Sequence, residues 1–348
     1  MKTYCPLPFN RMKINPDGGY QSCCHQTKIY GNLIEEDLTL EEAFNKPLLR
    51  EVQEYALRSE LHPICDTPRC PLYTLKDNLE EWNLTEVEIR NQPIDVEVSL
   101  PSTHCNIGGT NPTPDTACAM CPRASTTYMS WEPEEDLSKR VVEKIKPYMD
   151  KMQVINIQGI AEPFWKGKVI EMLEEIDFEN HKHHALFWTF TNGTVFGDKI
   201  QDEFISRVKY ANLGFSIDAA TPETYKKVRR LDYFGTIERN LRKYFEKVKD
   251  FKTDDKWYNS FTSYNINMWN VHEMEQMVRW SHDIGADRAE FTLTFIGAPE
   301  FPMGVENICN KDNWHIFWEG QKRAIEVAKE LNYKVDFYVP FHGGFLQE

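Results

Sequence analysis

Three cysteines in a C-x12-C-x2-C spacing, Cys105, Cys118 and Cys121, carry the densest chemistry in the chain. They follow a strand-like run, Asp95-Val96-Glu97-Val98-Ser99-Leu100. Thiolates at the mouth of a strand can hold three irons of a [4Fe-4S] cube and leave the fourth iron without a protein ligand. A small molecule can chelate that open iron, which implies radical chemistry rather than electron storage. Cys-x2-Cys is equally half of a zinc site, and His104 could complete one. A second group of thiols, Cys5, Cys23, Cys24, Cys65 and Cys70, precedes the strand. His25 and His62 give it a zinc alternative. Eight of the nine cysteines fall within the first 121 residues. Such clustering reads as metal or cluster ligation, not as disulfides of a reducing compartment. Cys309 stands apart and reads as a plain buried thiol.

These residues need a frame, and 348 residues suit one large α/β unit plus a smaller module. From about residue 93 strand and helix patterns alternate. Expected strands are 95–100, 152–157, 185–191, 211–217, 258–267 and 288–295. Expected helices are 134–150, 166–176, 197–209, 235–250 and 271–284. Six β-then-α units argue for a parallel sheet curled into a partial (β/α)6 TIM-type barrel. A helix at 313–331 and a strand at 334–339 close the chain. The expected division is 1–92, 93–300 and 301–348. Near the start, Pro16-Asp17-Gly18-Gly19 has turn chemistry and predicts a hairpin. Parallel strands place ligand sites at their C-terminal ends, where the remaining motifs fall.

Composition narrows the partners. The net charge of −14 disfavours a large electrostatic footprint on nucleic acid. No run of eighteen apolar residues predicts a membrane span, and Met1-Lys2-Thr3-Tyr4-Cys5-Pro6 lacks a signal-peptide core. The expectation is a cytoplasmic protein.

The segment Cys105-Asn106 to Cys118-Ala119-Met120-Cys121-Pro122-Arg123 resembles the cluster loop of radical S-adenosylmethionine (SAM) enzymes. That loop usually reads C-x3-C-x2-C, so the first gap is lengthened here. Gly159-Ile160-Ala161-Glu162-Pro163 looks like the family's Gly-Gly-Glu-Pro motif, with Ala161 for its second glycine. The resemblance gives Glu162 the methionine ammonium, a charge-assisted bond. Thr191-Asn192-Gly193 is similar to the family's Thr-Asn-Gly. Ser216 and Asp218 resemble its Ser-x-Asp, near the ribose and carboxylate of SAM. Tyr225 to Arg229 follows the pattern Tyr-x-x-x-Arg, and Arg229 would pair with the methionine carboxylate. Asn267, and Thr292 to Thr294 beside the adenine, are further contacts by the same likeness. The implied mechanism is reductive cleavage of SAM to methionine and a 5′-deoxyadenosyl radical, which abstracts hydrogen from a substrate C–H bond.

The N-terminal cysteines resemble the SPASM/twitch extension of such enzymes, which holds an auxiliary iron–sulfur cluster and usually follows the barrel. Here it precedes it. The resemblance implies an auxiliary [4Fe-4S] cluster on Cys5, Cys23, Cys65 and Cys70, with Cys24 as the alternative to Cys23. It also implies a flavodoxin- or ferredoxin-type electron donor and a peptide or protein substrate. A small-molecule substrate is the alternative, with Trp257-Tyr258, Trp269 and Trp314 to Trp318 able to frame a ring. A non-catalytic electron-transfer protein is the third reading, which has no use for a SAM pocket. Methyl transfer through cobalamin is disfavoured, since no cobalamin-type domain precedes the barrel.

Overall fold

The computed structural model describes all residues except 27, 68–69, 71, 74–76, 78, 80–83, 114, 125–136, 179–184, 294–312 and 339–348. The N-terminal part runs β1 (Lys2–Thr3), α1 (Leu7–Asn10), β2 (Arg11–Ile14), β3 (Gly19–Gln21), β4 (Gly31–Asn32), α2 (Leu40–Phe44), α3 (Pro47–Leu57) and β5 (Thr85–Glu86). The expected hairpin is β2–β3, closed through Gly18 at φ 86°. Thr39 and Glu42 start α2 with a reciprocal capping box.

From residue 95 the alternation appears as expected: β6 (Asp95–Ser99), α4 (Ser138–Ile145), β7 (Val154–Gln158), α5 (Lys168–Glu175), β8 (Leu186–Thr191) and α6 (Asp198–Arg207). It continues with β9 (Tyr210–Ser216), α7 (Pro222–Arg229), α8 (Phe234–Val248), β10 (Trp257–Ile266), α9 (Met274–Asp283), β11 (Arg288–Leu293), α10 (Trp314–Glu330) and β12 (Lys334–Tyr338). The helix expected over 134–150 is shorter: α4 gives way to a 3-10 stretch, Lys146–Lys151, where Pro147 has no N–H to continue the ladder. Its first residues lie outside the described ones, as do Thr294 and Cys309.

One ten-stranded sheet holds the fold, in the order β12-β11-β10-β9-β8-β7-β6-β2-β3-β4. Every pairing from β12 across to β2 is parallel, a partial barrel of eight strands. The β2–β3–β4 meander is antiparallel. The sheet therefore crosses both expected boundaries. β2 of the cysteine-rich part pairs Arg11 with Asp95 through Ile14 with Val98, and β12 pairs with β11.

That pairing is fixed by side chains on both faces. Met12, Ile14, Val96 and Val98 are buried in the main core. On the other face Glu97 is ion-paired to both Arg11 and Lys13, and Lys13 Nζ donates to Ser99 Oγ at 2.7 Å. A buried charge with two partners strongly opposes any slip of register. Because β3 runs back against β2, Cys23 and Cys24 lie at the starting end of β6. Cys105 lies beyond its finishing end. The two thiol groups thus occupy opposite ends of the same strands.

Candidate metal centre and cofactor site

Backbone contacts set the cysteine loop at the finishing end. Leu100 N–H donates to Gln158 O at 2.6 Å and Glu162 N–H to His104 O at 2.8 Å, so the loops after β6 and β7 run side by side. Gly159 sits at φ 134°, and a Cβ there would lie 2.8 Å from Leu100 O. Only glycine fits that approach. Ala119 N–H donates to Val228 O at 2.8 Å, which ties Cys118 to α7. Thr221 caps that helix and Pro222 opens it.

Cys118 is buried, and Cys105 and Cys121 are half-buried. Burial pushes the Cys105 thiol up to about 11 and the Cys121 thiol up to about 12, with Cys118 adding to both. Cationic irons would remove that cost by drawing off the protons. Zinc fits less well. Thiolates around one zinc sit at about 2.3 Å from the ion, hence under 4 Å apart. Among the described residues the one trio of potential ligands with all atoms within 4.8 Å is Cys23, Cys24 and His25, and Cys105, Cys118 and Cys121 are not gathered in that way. His104, the fourth zinc ligand in that alternative, has Nε2 engaged at 2.8 Å by Trp165 O.

Beside the thiols lie the expected SAM residues. Glu162 is wholly buried. Its Oε1 accepts from Thr191 Oγ1 at 2.6 Å and Phe164 N at 3.2 Å, and its Oε2 accepts from Asn192 N at 2.6 Å. A carboxylate offers about four acceptor positions, so one on Oε2 remains. Burial pushes this carboxyl up to about 7 despite the three donors. Asn192 Nδ2 donates to Asn106 Oδ1 at 2.9 Å, next to Cys105. Ala161 is half-buried against the core.

Arg229 is held by side chains of its own chain. Its Nη2 lies 2.5 Å from Asp218 Oδ2 and its Nη1 donates to Cys118 Sγ at 3.6 Å. Burial opposes its charge, and Asp218 with the Cys118 sulfur more than restores it, so its pKa is raised. Asp218, at φ 60°, also accepts from Asn265 N at 2.7 Å. Asn267 is turned into its own loop, its Oδ1 accepting from Trp269 N at 2.9 Å. Ser216 is half-buried at the end of β9. Thr292 lies on β11, opposite Asn265.

Residues outside the expected set contribute. Arg123 is buried and donates to Ile107 O at 2.7 Å and to Gly109 O, pinning the inserted loop onto the cysteines. Tyr225 is wholly buried with an unpartnered hydroxyl, near Arg229, Cys118 and Glu162. An orphaned phenol among these groups fits a site built around an anionic guest. The motifs themselves were the signal for both, since Arg123 ends the cysteine segment and Tyr225 opens Tyr-x-x-x-Arg.

At the other end, one cavity is lined by Cys5, Cys23, Cys65, Cys70, His25 and His62, among others, and Cys24 is not part of its lining. Burial pushes Cys5 up to about 12 and raises Cys65 and Cys70. A hydrogen bond from the Cys23 thiol holds exposed Cys24 down. His62 Nδ1 accepts from Ile64 N at 3.2 Å.

Residues 5–71 match SPASM, an iron-sulfur cluster-binding domain. No curated protein matches the sequence. The fold is similar to Streptococcus suis SuiB bound to precursor peptide SuiA: TM-score 0.50, 10% identity, 71% of this chain and 48% of that one. The chain thus spans about half the length of SuiB. It is also similar to anSMEcpe with bound AdoMet and Cp18Cys peptide, at TM-score 0.48, 18% identity, and 70% and 63% coverage. A radical SAM methyltransferase from Sphaerobacter thermophilus follows at TM-score 0.46, 14% identity, and 69% and 64% coverage. The matched domain agrees with the likeness drawn for the N-terminal cysteines, and the match lies before the parallel strands β6 to β12, not after them. An iron–sulfur cluster is the group that the matched domain binds. Among the described residues no helix is long and apolar enough to cross a membrane.

Proposed function

We propose that the chain is a radical SAM enzyme that reductively cleaves SAM and abstracts hydrogen from a peptide or protein side chain. The observation that carries the reading is Glu162, a buried carboxylate with one acceptor position left, on the loop beside the Cys105, Cys118 and Cys121 loop. Cys105, Cys118 and Cys121 would hold the SAM-binding cluster. Cys5, Cys23, Cys65 and Cys70, which share one cavity, would hold the auxiliary one. Bound together, the first cluster and SAM supply a one-electron reduction and a hydrogen-abstracting radical.

The chain's own part is positioning. Glu162 takes the methionine ammonium on its remaining acceptor. Arg229, already charged and held by Asp218, meets the carboxylate, and Gly159 lets the β7 loop approach closely. Asn192 and Asn106 link that loop to Cys105. Ser216 and Ala161 would complete the pocket rim, and Asn267, held in its own loop, would support it from behind. The division into 1–92, 93–300 and 301–348 is kept as a division of labour, although one sheet joins all three. The peptide substrate is supported by SuiB, the similar fold solved with a precursor peptide. A flavodoxin- or ferredoxin-type protein would supply the electron.

Anaerobic reconstitution with iron and sulfide, then dithionite and SAM, tests the reading. About eight irons per chain and release of 5′-deoxyadenosine are expected. An intact cluster that releases none overturns it.

A further inference from the structure

The loop between β3 and β4 contains a side chain that the cluster assignment leaves unused. Gln26 Oε1 accepts from Ser22 N at 3.1 Å, which fixes the orientation of its amide, because a backbone N–H cannot face an NH2 group. Its Nε2 then donates both hydrogens: to Tyr30 Oη at 2.6 Å and to Cys65 Sγ at 3.4 Å. Tyr30 Oη lies 2.7 Å from Ser22 Oγ, and Ser22 Oγ lies 3.4 Å from Gln26 Oε1. With Tyr30 accepting from Gln26, its own proton goes to Ser22, whose proton goes back to Gln26. The ring closes with each hydroxyl satisfied and leaves one N–H aimed at the sulfur.

We infer that Gln26 is a positioning residue that sets the reduction potential of the auxiliary cluster through its N–H···S bond to Cys65. This rests on the reading of Cys65 as a ligand of that cluster. An electron arriving at a cube adds negative charge that spreads onto its sulfurs. A donor held on one sulfur stabilises the reduced form and raises the potential. The cluster becomes a better acceptor for the electron that a substrate radical must lose. The ring makes the donor rigid, so Tyr30 and Ser22 serve the bond by fixing the amide.

The test is an anaerobic redox titration of reconstituted holoenzyme by electron paramagnetic resonance, with the SAM-binding cluster as internal reference. Gln26→Glu keeps the acceptor for Ser22 N and replaces the donor with a negative oxygen. Gln26→Leu removes the donor and the acceptor for Ser22 N together, without adding charge. The auxiliary potential is expected to fall in the order wild type, Leu, Glu, while the other cluster stays put. Equal potentials in all three proteins, each with about eight irons, overturn the inference. Loss of the auxiliary irons from both variants also overturns it, since Gln26 would then hold the loop and not the potential. A wild-type protein with only the SAM-binding cluster refutes the underlying reading instead, and the iron count separates the two failures.

Discussion

Replacing Glu162 with glutamine should change how stability depends on pH in the metal-free protein. The carboxyl is wholly buried, and burial raises it from 4.5 to about 7. A raised carboxyl keeps its proton longer in the folded chain than in the unfolded one. Stability is therefore fully present below the unfolded value, near 4.5, and is lost as pH rises through about 7. With those two values the loss between pH 6 and 8.5 is about 1.4 kcal/mol, a tenfold change in the folding equilibrium. Glutamine has no proton to lose. It carries a constant penalty of about 1–3 kcal/mol, because an NH2 group must face Asn192 N–H or Phe164 N–H. The difference between variant and wild type should therefore shift by about 1.4 kcal/mol in the variant's favour from pH 6 to pH 8.5. Urea unfolding followed by tryptophan fluorescence at several pH values measures it. A difference that stays parallel across the range would refute the argument that burial controls this carboxyl.

Four further outcomes follow from the geometry. Cys121→Ala should abolish reductive SAM cleavage and remove about four irons; surviving cleavage sinks the cluster assignment. Cys65→Ala with Cys70→Ala should leave SAM cleavage largely intact and block product formation, and loss of both would show the two clusters act as one. Gly159→Ala should destabilise by about 1–3 kcal/mol, since the new Cβ meets Leu100 O at a φ of 134°; an unchanged melting curve counts against the close approach. Glu97→Ala should cost about 3–5 kcal/mol by leaving Arg11 and Lys13 without their shared partner. Adding Arg11→Met and Lys13→Met should recover most of that loss, as denaturant titration would show.

The barrel strands were legible because each carries its own signal: β-branched and aromatic runs bounded by turns, repeated between helical stretches. The motifs of the candidate site stood in the sequence in order: Gly159, Glu162 and Asn192 fall just beyond strand ends, and Arg229 closes the helix after β9. What stayed hidden was non-local. Nothing in Arg11-Met12-Lys13-Ile14 announces a parallel partner at Asp95-Val96-Glu97-Val98, because pairing register leaves no periodic trace in either segment. Sequence reading treated the hairpin as part of a separate module for that reason. The partners of Arg229 and Asn267 were hidden too. A motif says which residue faces a site but not that Asp218 or Trp269 N–H already engages it.

The pairing of β2 with β6 also has a consequence for synthesis on the ribosome. Met12 is made 84 residues before Val96, its partner in the sheet. At about 5–20 residues per second, β2 waits roughly 4–17 s with one edge covered by β3 and the other bare. The thiols of Cys23, Cys24, Cys65 and Cys70 are made in that interval, after Cys5 and before the strand that anchors them. Final closure of this end of the molecule is therefore tied to translation of the first barrel strand. Iron delivered before that moment would meet mobile thiols on a chain with an open sheet edge.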